Sequence, residues 1–277
     1  MRKLCTVHLL SNHKINSYRS TRSEKVALMI KSIKPSAQDG GVVDLSAKAS
    51  DKKKTKDFVD TMMSIMQSGE AKFQFDRRHV KAVLLDMLVA SIDTSSTSVE
   101  WMLSEHLKNP NVMEKVQKEL EEVVGLNRMM EESDLDNLKY LNMVFKESFR
   151  LHAAAPLLLH EAMEDCIVDD FYIQKGSQAI VNSYSIHMDP NVWTEANKFL
   201  PERFLESNVD VRGRDFQLLP FGYGRRNCPR MHLALIIVCL VVAQLVHCFD
   251  LDMTEKFGIV TGRAKHLMAI PTYRLHN

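Results

Sequence analysis

Residues 221–230 read FGYGRRNCPR and run directly into the apolar stretch MHLALIIVCLVVAQLVHC at 231–248. Cys228 therefore stands in a glycine- and arginine-bearing loop at the N-terminus of a helix. A thiolate there is stabilised by Arg225 and Arg226, by backbone N–H groups and by the positive end of the helix dipole. These are the conditions a soft anionic metal ligand needs. A cysteine beside an apolar helix is more often an inert buried residue, and that is the reading for Cys239 and Cys248 within the stretch.

Working outward, residues 201–204 read PERF and residues 145–150 read FKESFR. Glu147 and Arg150 are three apart, on one face of a helix where side chains meet, and Arg203 offers a second guanidinium. One carboxylate between two guanidinium forks can be fully hydrogen-bonded even when buried. Alone, an ExxR pair carries no information, because surface helices hold such pairs constantly. The order ExxR, PERF and F-x-x-G-x-R-x-C between 147 and 228 is far more specific. Farther upstream, residues 90–95 read ASIDTS.

On these motifs the sequence resembles the cytochrome P-450 family, most closely the plant microsomal enzymes of the A-type group. The resemblance implies a mainly α fold with a small β-hairpin or sheet element, here a partial version of the family's fold. It implies haem b (iron protoporphyrin IX) with Cys228 as the axial thiolate ligand of its iron. Glu147, Arg150 and Arg203 would form the structural triad that braces the cysteine loop. Asp93 and Thr94 would stand beside the iron, Thr94 positioning water and dioxygen and Asp93 feeding protons. Phe221, Arg226, His160 and Arg2 would contact the cofactor, the last two by way of propionates. For His160 the alternative is an exposed loop histidine, and for Arg2 a solvated terminal side chain. The implied reaction inserts one oxygen atom from dioxygen into a small apolar substrate, with electrons from NADPH-cytochrome reductase. The family works at the cytoplasmic face of the endoplasmic reticulum.

Composition narrows the classes. A chain of 277 residues, 45% hydrophobic, can hold one large domain or two small ones. Its 36 basic and 35 acidic residues leave a net charge of +1, with no bulk field to draw nucleic acid or an anionic membrane. The five cysteines are odd in number and widely spaced, with no CxxC, so neither a disulfide framework nor a zinc site is suggested and a reducing compartment fits. The opening MRKLCTVHLLSNHK has only a short apolar run broken by His8, too little for a signal peptide or anchor. The apolar run 233–248 falls short of the roughly 20 residues a span needs. The expectation is no membrane span and a cytosolic location for this chain.

Three regions are expected: residues 1–33 like part of the family's C helix, 34–56 a linker with the lysine run 52–54, and 57–277 the haem-binding core. Residues 57–67 and 77–107 look helical; Phe58, Met62, Ile65 and Met66 in the first recur at core spacing. Asn109-Pro110 reads as a cap and first-turn proline for a helix with Met113, Val116, Leu120 and Val123 on one face. The ExxR helix ends before Pro156. Residues 166–182 alternate around Lys175-Gly176 and read as a hairpin.

Relative to the family, VVDLSAKAS and KDFVDTMM are joined almost directly where a run of helices would lie, and HCFDLDMTEKFGIV lacks a loop near 250. The first omission predicts apolar surface left exposed on the 77–107 helix. Arg230 and Ser91 replace glycines; at 230 a non-glycine residue is expected to bring bulk and backbone strain against the haem. Asn227, Tyr184, His187 and Met188 also depart from the usual residues. The reading is a haem-thiolate monooxygenase-type chain that is impaired or inactive as it stands. The alternative is a non-catalytic helical remnant that binds no haem and acts through protein contacts.

Overall fold

The computed structural model describes residues 2–45, 56–68, 75–253 and 267–276. Two compact units are formed, Met1–Phe145 with Pro229–Asn277, and Lys146–Cys228. The expectations placed on residues 46–55, with their lysine run, and on 254–266 lie outside the described residues, as do the side chains of Arg2 and Phe58.

The first unit is helical, with one small sheet. In chain order it holds α1 (Arg2–His8), α2 (Asn12–Ser17), α3 (Arg19–Gln38), β1 (Val43–Asp44), α4 (Lys56–Ser68), α5 (Arg77–Lys108) and α6 (Pro110–Val123). After the start of α7 (Lys139–Leu151) the chain leaves this unit and returns to it with α9 (Met231–Cys248), β6 (Phe249–Met253) and β7 (Met268–Tyr273), numbered in order along the whole chain. Helix α9 is apolar on every side, as a buried helix must be, and α3, α5, α6 and β6 pack around it. Val238 and Leu240 through Cys248 are buried accordingly. By length and composition both α5 and α9 could cross a membrane, so α5 is a second candidate beside the 233–248 run. The packing makes α9 a core helix.

Helix α5 starts at Asp76, whose carboxylate accepts from the N–H groups of Arg78 (2.9 Å) and His79 (3.3 Å), two of the donors a helix start leaves orphaned. At its base Val80 and Val83 join Met62 and Ile65 of α4 and Cys5, Leu9 and Leu10 in one apolar cluster. Farther along, the hydroxyls of Thr94, Ser96 and Ser98 bond back to the carbonyls four residues earlier, at 2.7, 2.9 and 2.9 Å. Satisfied in this way, polar residues are tolerated inside a long helix.

Several expectations are corrected. Lys34–Gln38, read as the start of a linker, continue α3, because Ile30 and Ile33 are buried and the helix packs on β7. Val43–Asp44 then pair with β7, which also pairs antiparallel with β6. Asn109 makes no side-chain cap for α6; its amide donates to the Glu105 carbonyl at 2.8 Å and closes the end of α5 instead. The buried face of α6 is Val112, Val116 and Leu120, with Val123 at the exposed last turn.

The second unit holds the end of α7, β2 (Leu157–Glu161), β3 (Cys166–Val168), β4 (Phe171–Ile173), β5 (Gln178–Asn182) and α8 (Ser183–His187). The expected hairpin around Lys175-Gly176 is not formed as such. The tight turn is at Asp169-Asp170, φ 45° and 66°, between β3 and β4. Two consecutive left-handed residues give a turn whose twist matches that of paired strands, and aspartate tolerates that region. Strand β5 pairs antiparallel with β2, Leu157 opposite Asn182 and Glu161 opposite Gln178.

Candidate functional site

Glu147 and Arg150 lie one turn apart on α7, and each side chain is 0% exposed. Arg150 Nε and Nη2 donate to the two carboxylate oxygens of Glu147 at 2.8 and 2.9 Å. From the 3-10 turn Pro201–Phe204, Arg203 Nε donates to Oε1 at 3.0 Å, and the Leu200 N–H joins it at 2.9 Å. The remaining Arg150 donors reach the carbonyls of His187 (2.7 Å), Ala196 (2.8 Å) and Lys198 (3.2 Å). Both guanidinium groups also lie over the Trp193 ring, at 5.4 and 5.9 Å. A charge removed from water is tolerable only when its donors and acceptors are satisfied, and here the Glu147–Arg150 pair ties α7, the end of α8 and the loop 193–203 together.

The cysteine loop belongs to the same unit. Gly213 has φ +74°, and a Cβ there would meet the Gly222 carbonyl oxygen at 2.6 Å. Only glycine admits both that conformation and that approach. Gly222 N–H donates to the Leu219 carbonyl (3.1 Å) and Cys228 N–H to the Phe221 carbonyl (2.7 Å), so the chain folds back on itself ahead of the cysteine. The Phe221 ring meets Phe149 edge-on at 5.3 Å. His160 on β2 lies 5.9 Å from Tyr223, which also contacts Phe216 at 5.6 Å, so the structure brings His160 to this loop. Arg225 and Arg226 are exposed in the 3-10 turn Gly224–Arg226.

Cys228 is a half-buried free thiol. Burial pushes the thiols of Cys5 and Cys239 up, and that of Cys248 up to about 12, which keeps all three protonated and poor ligands. A half-buried thiol in a loop with exposed guanidinium groups suits an anionic metal-carrying group that brings most of its own donors.

Asp93, Thr94 and Arg2 belong to the first unit, and Cys228, Phe221, Arg226, His160 and the three network residues to the second. Asp93 and Thr94 are exposed near the middle of α5, and the Ser91 hydroxyl turns back onto the Leu88 carbonyl at 3.2 Å. Arg230, also in the first unit, corrects an expectation. Its φ is −105°, outside the region reserved for glycine, and its guanidinium donates to the Met87 carbonyl on α5 at 2.8 Å. Two residues escaped sequence reasoning as site-builders. Gly213 sits in an ordinary-looking RGRD, and its partner is the backbone of Gly222; His187 was visible only as an unusual residue, with no local signal of the amide it accepts.

A family model described as cytochrome P-450 matches residues 45–275. The chain is 55% identical over 237 residues to cytochrome P-450 CYP736A12 of Panax ginseng, covering 79% of this chain and 47% of that protein. It is 43% identical over 228 residues to geraniol 8-hydroxylase of Catharanthus roseus, covering 78% and 46%. Phenylacetaldehyde oxime monooxygenase CYP71AN24 of Prunus mume is 40% identical over 241 residues, covering 82% and 46%. A solved zebra fish cytochrome P-450 structure with progesterone aligns with TM-score 0.69 and 29% identity, covering 77% of this chain and 51% of that one. The chain thus spans about half the length of the curated relatives it matches.

Proposed function

The chain belongs to the cytochrome P-450 family, and from that premise we propose that it is the haem-carrying part of a plant microsomal monooxygenase, in which the Cys228 thiolate would hold the haem iron. The observation that supports this most is the Glu147–Arg150–Arg203 network, built on a fully buried Glu147–Arg150 pair, in the unit that carries the cysteine loop. Its role is mechanical. It fixes α7, the end of α8 and the loop 193–203, the segments ahead of the cysteine loop, so that the loop carrying the thiol starts from a rigid base.

Haem b, when bound, supplies the cleavage of dioxygen, which thiolate donation favours. The residues of the chain would bind and orient around it: Phe221 against the macrocycle, and Arg226, His160 and Arg2 toward its carboxylates. Thr94, whose hydroxyl now donates to the Ala90 carbonyl, would hold a water at its oxygen, and the exposed Asp93 carboxylate would pass protons to it. A flavin reductase supplying electrons and the cytoplasmic face of the endoplasmic reticulum as location complete the proposal. Two relatives are named for geraniol and for phenylacetaldehyde oxime, and the substrate class proposed here is likewise a small, largely apolar molecule.

Turnover by this chain alone is proposed to be weak. Leu85, Leu88 and Val89 on α5 are 62%, 58% and 63% exposed, and water admitted along such a face weakens control of charge and protons. The same face favours a second reading, a helical protein that binds no haem and acts through protein contacts. Haem spectroscopy separates the two. The chain reconstituted with haemin, reduced and exposed to carbon monoxide, is expected to show the red-shifted Soret band of thiolate ligation, lost in Cys228→Ala and kept in Cys239→Ala. Absence of that band in the parent chain supports the second reading, and its survival in Cys228→Ala refutes the ligand assignment.

A further inference from the structure

His187 closes α8 and makes two hydrogen bonds at a point with no exposed surface. Its main-chain carbonyl accepts from Arg150 Nη1 at 2.7 Å, and its ring Nε2 accepts from the Leu219 N–H at 2.8 Å. An N–H arriving at Nε2 places the ring proton on Nδ1, and buried Nδ1 has no hydrogen-bond partner. A buried donor without an acceptor is costly. The residue carries that cost, and what it obtains is an acceptor aimed at one particular amide. Burial, with the Arg150 charge beside it, holds the imidazole down to about 4, so the neutral, accepting ring persists at neutral pH.

That amide is the start of a short relay. Leu219 gives its carbonyl to Gly222 N–H at 3.1 Å, and two residues on, Phe221 gives its carbonyl to Cys228 N–H at 2.7 Å. The relay runs from the Glu147–Arg150 pair through both ends of His187 to the amide of the cysteine, within one unit.

We infer that His187 is a positioning residue for Cys228: as a hydrogen-bond acceptor for Leu219 it locks residues 219–222 to the buried ion network and so sets the direction of the thiol. The inference rests on Cys228 being the haem ligand, while the loop positioning it invokes can be read without haem. An acceptor is the whole requirement. Glutamine offers an oxygen at comparable reach; leucine offers similar bulk and no acceptor.

The test compares the 277-residue chain with its His187→Leu and His187→Gln variants by hydrogen exchange, without haem. In His187→Leu the amides of 219–228 are expected to exchange about five- to ten-fold faster, the equivalent of one lost net hydrogen bond, with α7 less affected. His187→Gln should recover parental protection. With haemin added, the thiolate carbon monoxide band should survive in His187→Gln and diminish in His187→Leu. Unchanged protection of 219–228 in His187→Leu overturns the inference. Should His187→Leu fail to fold, His187→Gln decides: parental protection of 219–228 supports it, and exchange there about five-fold or more faster than in the parent overturns it. A parent chain without the thiolate band defeats the haem reading and leaves the exchange result to judge the positioning alone.

Discussion

Glu147 accepts hydrogen bonds from Arg150, Arg203 and the Leu200 amide with none of its side chain exposed. Glu147→Ala would strand the buried Arg150 charge, and removing one partner of a buried pair costs about 3–5 kcal/mol, a large share of a typical stability. Urea unfolding should therefore show a much lower midpoint or no cooperative transition; an unchanged midpoint would reduce the network to a surface salt bridge. Arg230 makes the opposite argument about a residue that looked damaging. Its backbone is unstrained and its guanidinium serves the Met87 carbonyl, so Arg230→Gly removes a charge-assisted bond worth about 1.5–3 kcal/mol and relieves nothing. A lower thermal midpoint is expected in Arg230→Gly. A higher one would mean that a strain exists there which φ does not reveal.

At the scale of elements, α5 shows why periodicity does not settle which apolar residues are core. Along one helix Met102 and Leu103 are 1% and 0% exposed, while Leu85, Leu88 and Val89 face outward. Leu103→Ala should cost about 2–5 kcal/mol through lost burial and a residual cavity, whereas Leu88→Ala should change stability by no more than about 0.5 kcal/mol. Paired denaturation curves check both. Equal costs would show that something covers Leu88 in solution. The β-elements teach a related lesson: Gly176 (φ +81°) is a turn residue, as the sequence suggested, but the tight hairpin closed on Asp169-Asp170 because β5 found its partner in β2, farther away in sequence.

At the scale of the whole molecule, three buried histidines distribute an acid sensitivity over both units. His106 and His247 lie in the first and His187 in the second, and burial is the leading cause that lowers each below the ordinary 6.5, His187 to about 4. Between those values the unfolded chain binds protons that the folded chain refuses, so stability rises with pH across the window and falls on acidification. Urea midpoints should drop from pH 7 to pH 5, and hydrogen exchange should report losses in both units. A midpoint constant over that range would mean that the rings are protonated in the fold or that the structure opens around them.

What the amino-acid sequence determined by itself is the chemistry at short range: the cysteine in its arginine loop, the Glu147–Arg150 spacing on a helix, the apolar stretch that became α9, and through the order of these motifs the family. Each of these is set by neighbours within a few residues, through helical spacing, turn chemistry and local charge. What only the tertiary structure decided are the partners brought from far away in sequence. These are Arg203 and the Leu200 amide on Glu147, Met87 beneath Arg230, the Leu219 amide on His187, the Gly222 carbonyl pressed against Gly213, and the outward turn of Leu85, Leu88 and Val89. Burial and long-range hydrogen bonding depend on which segments the fold packs together, and no local pattern encodes the group that waits at the other end.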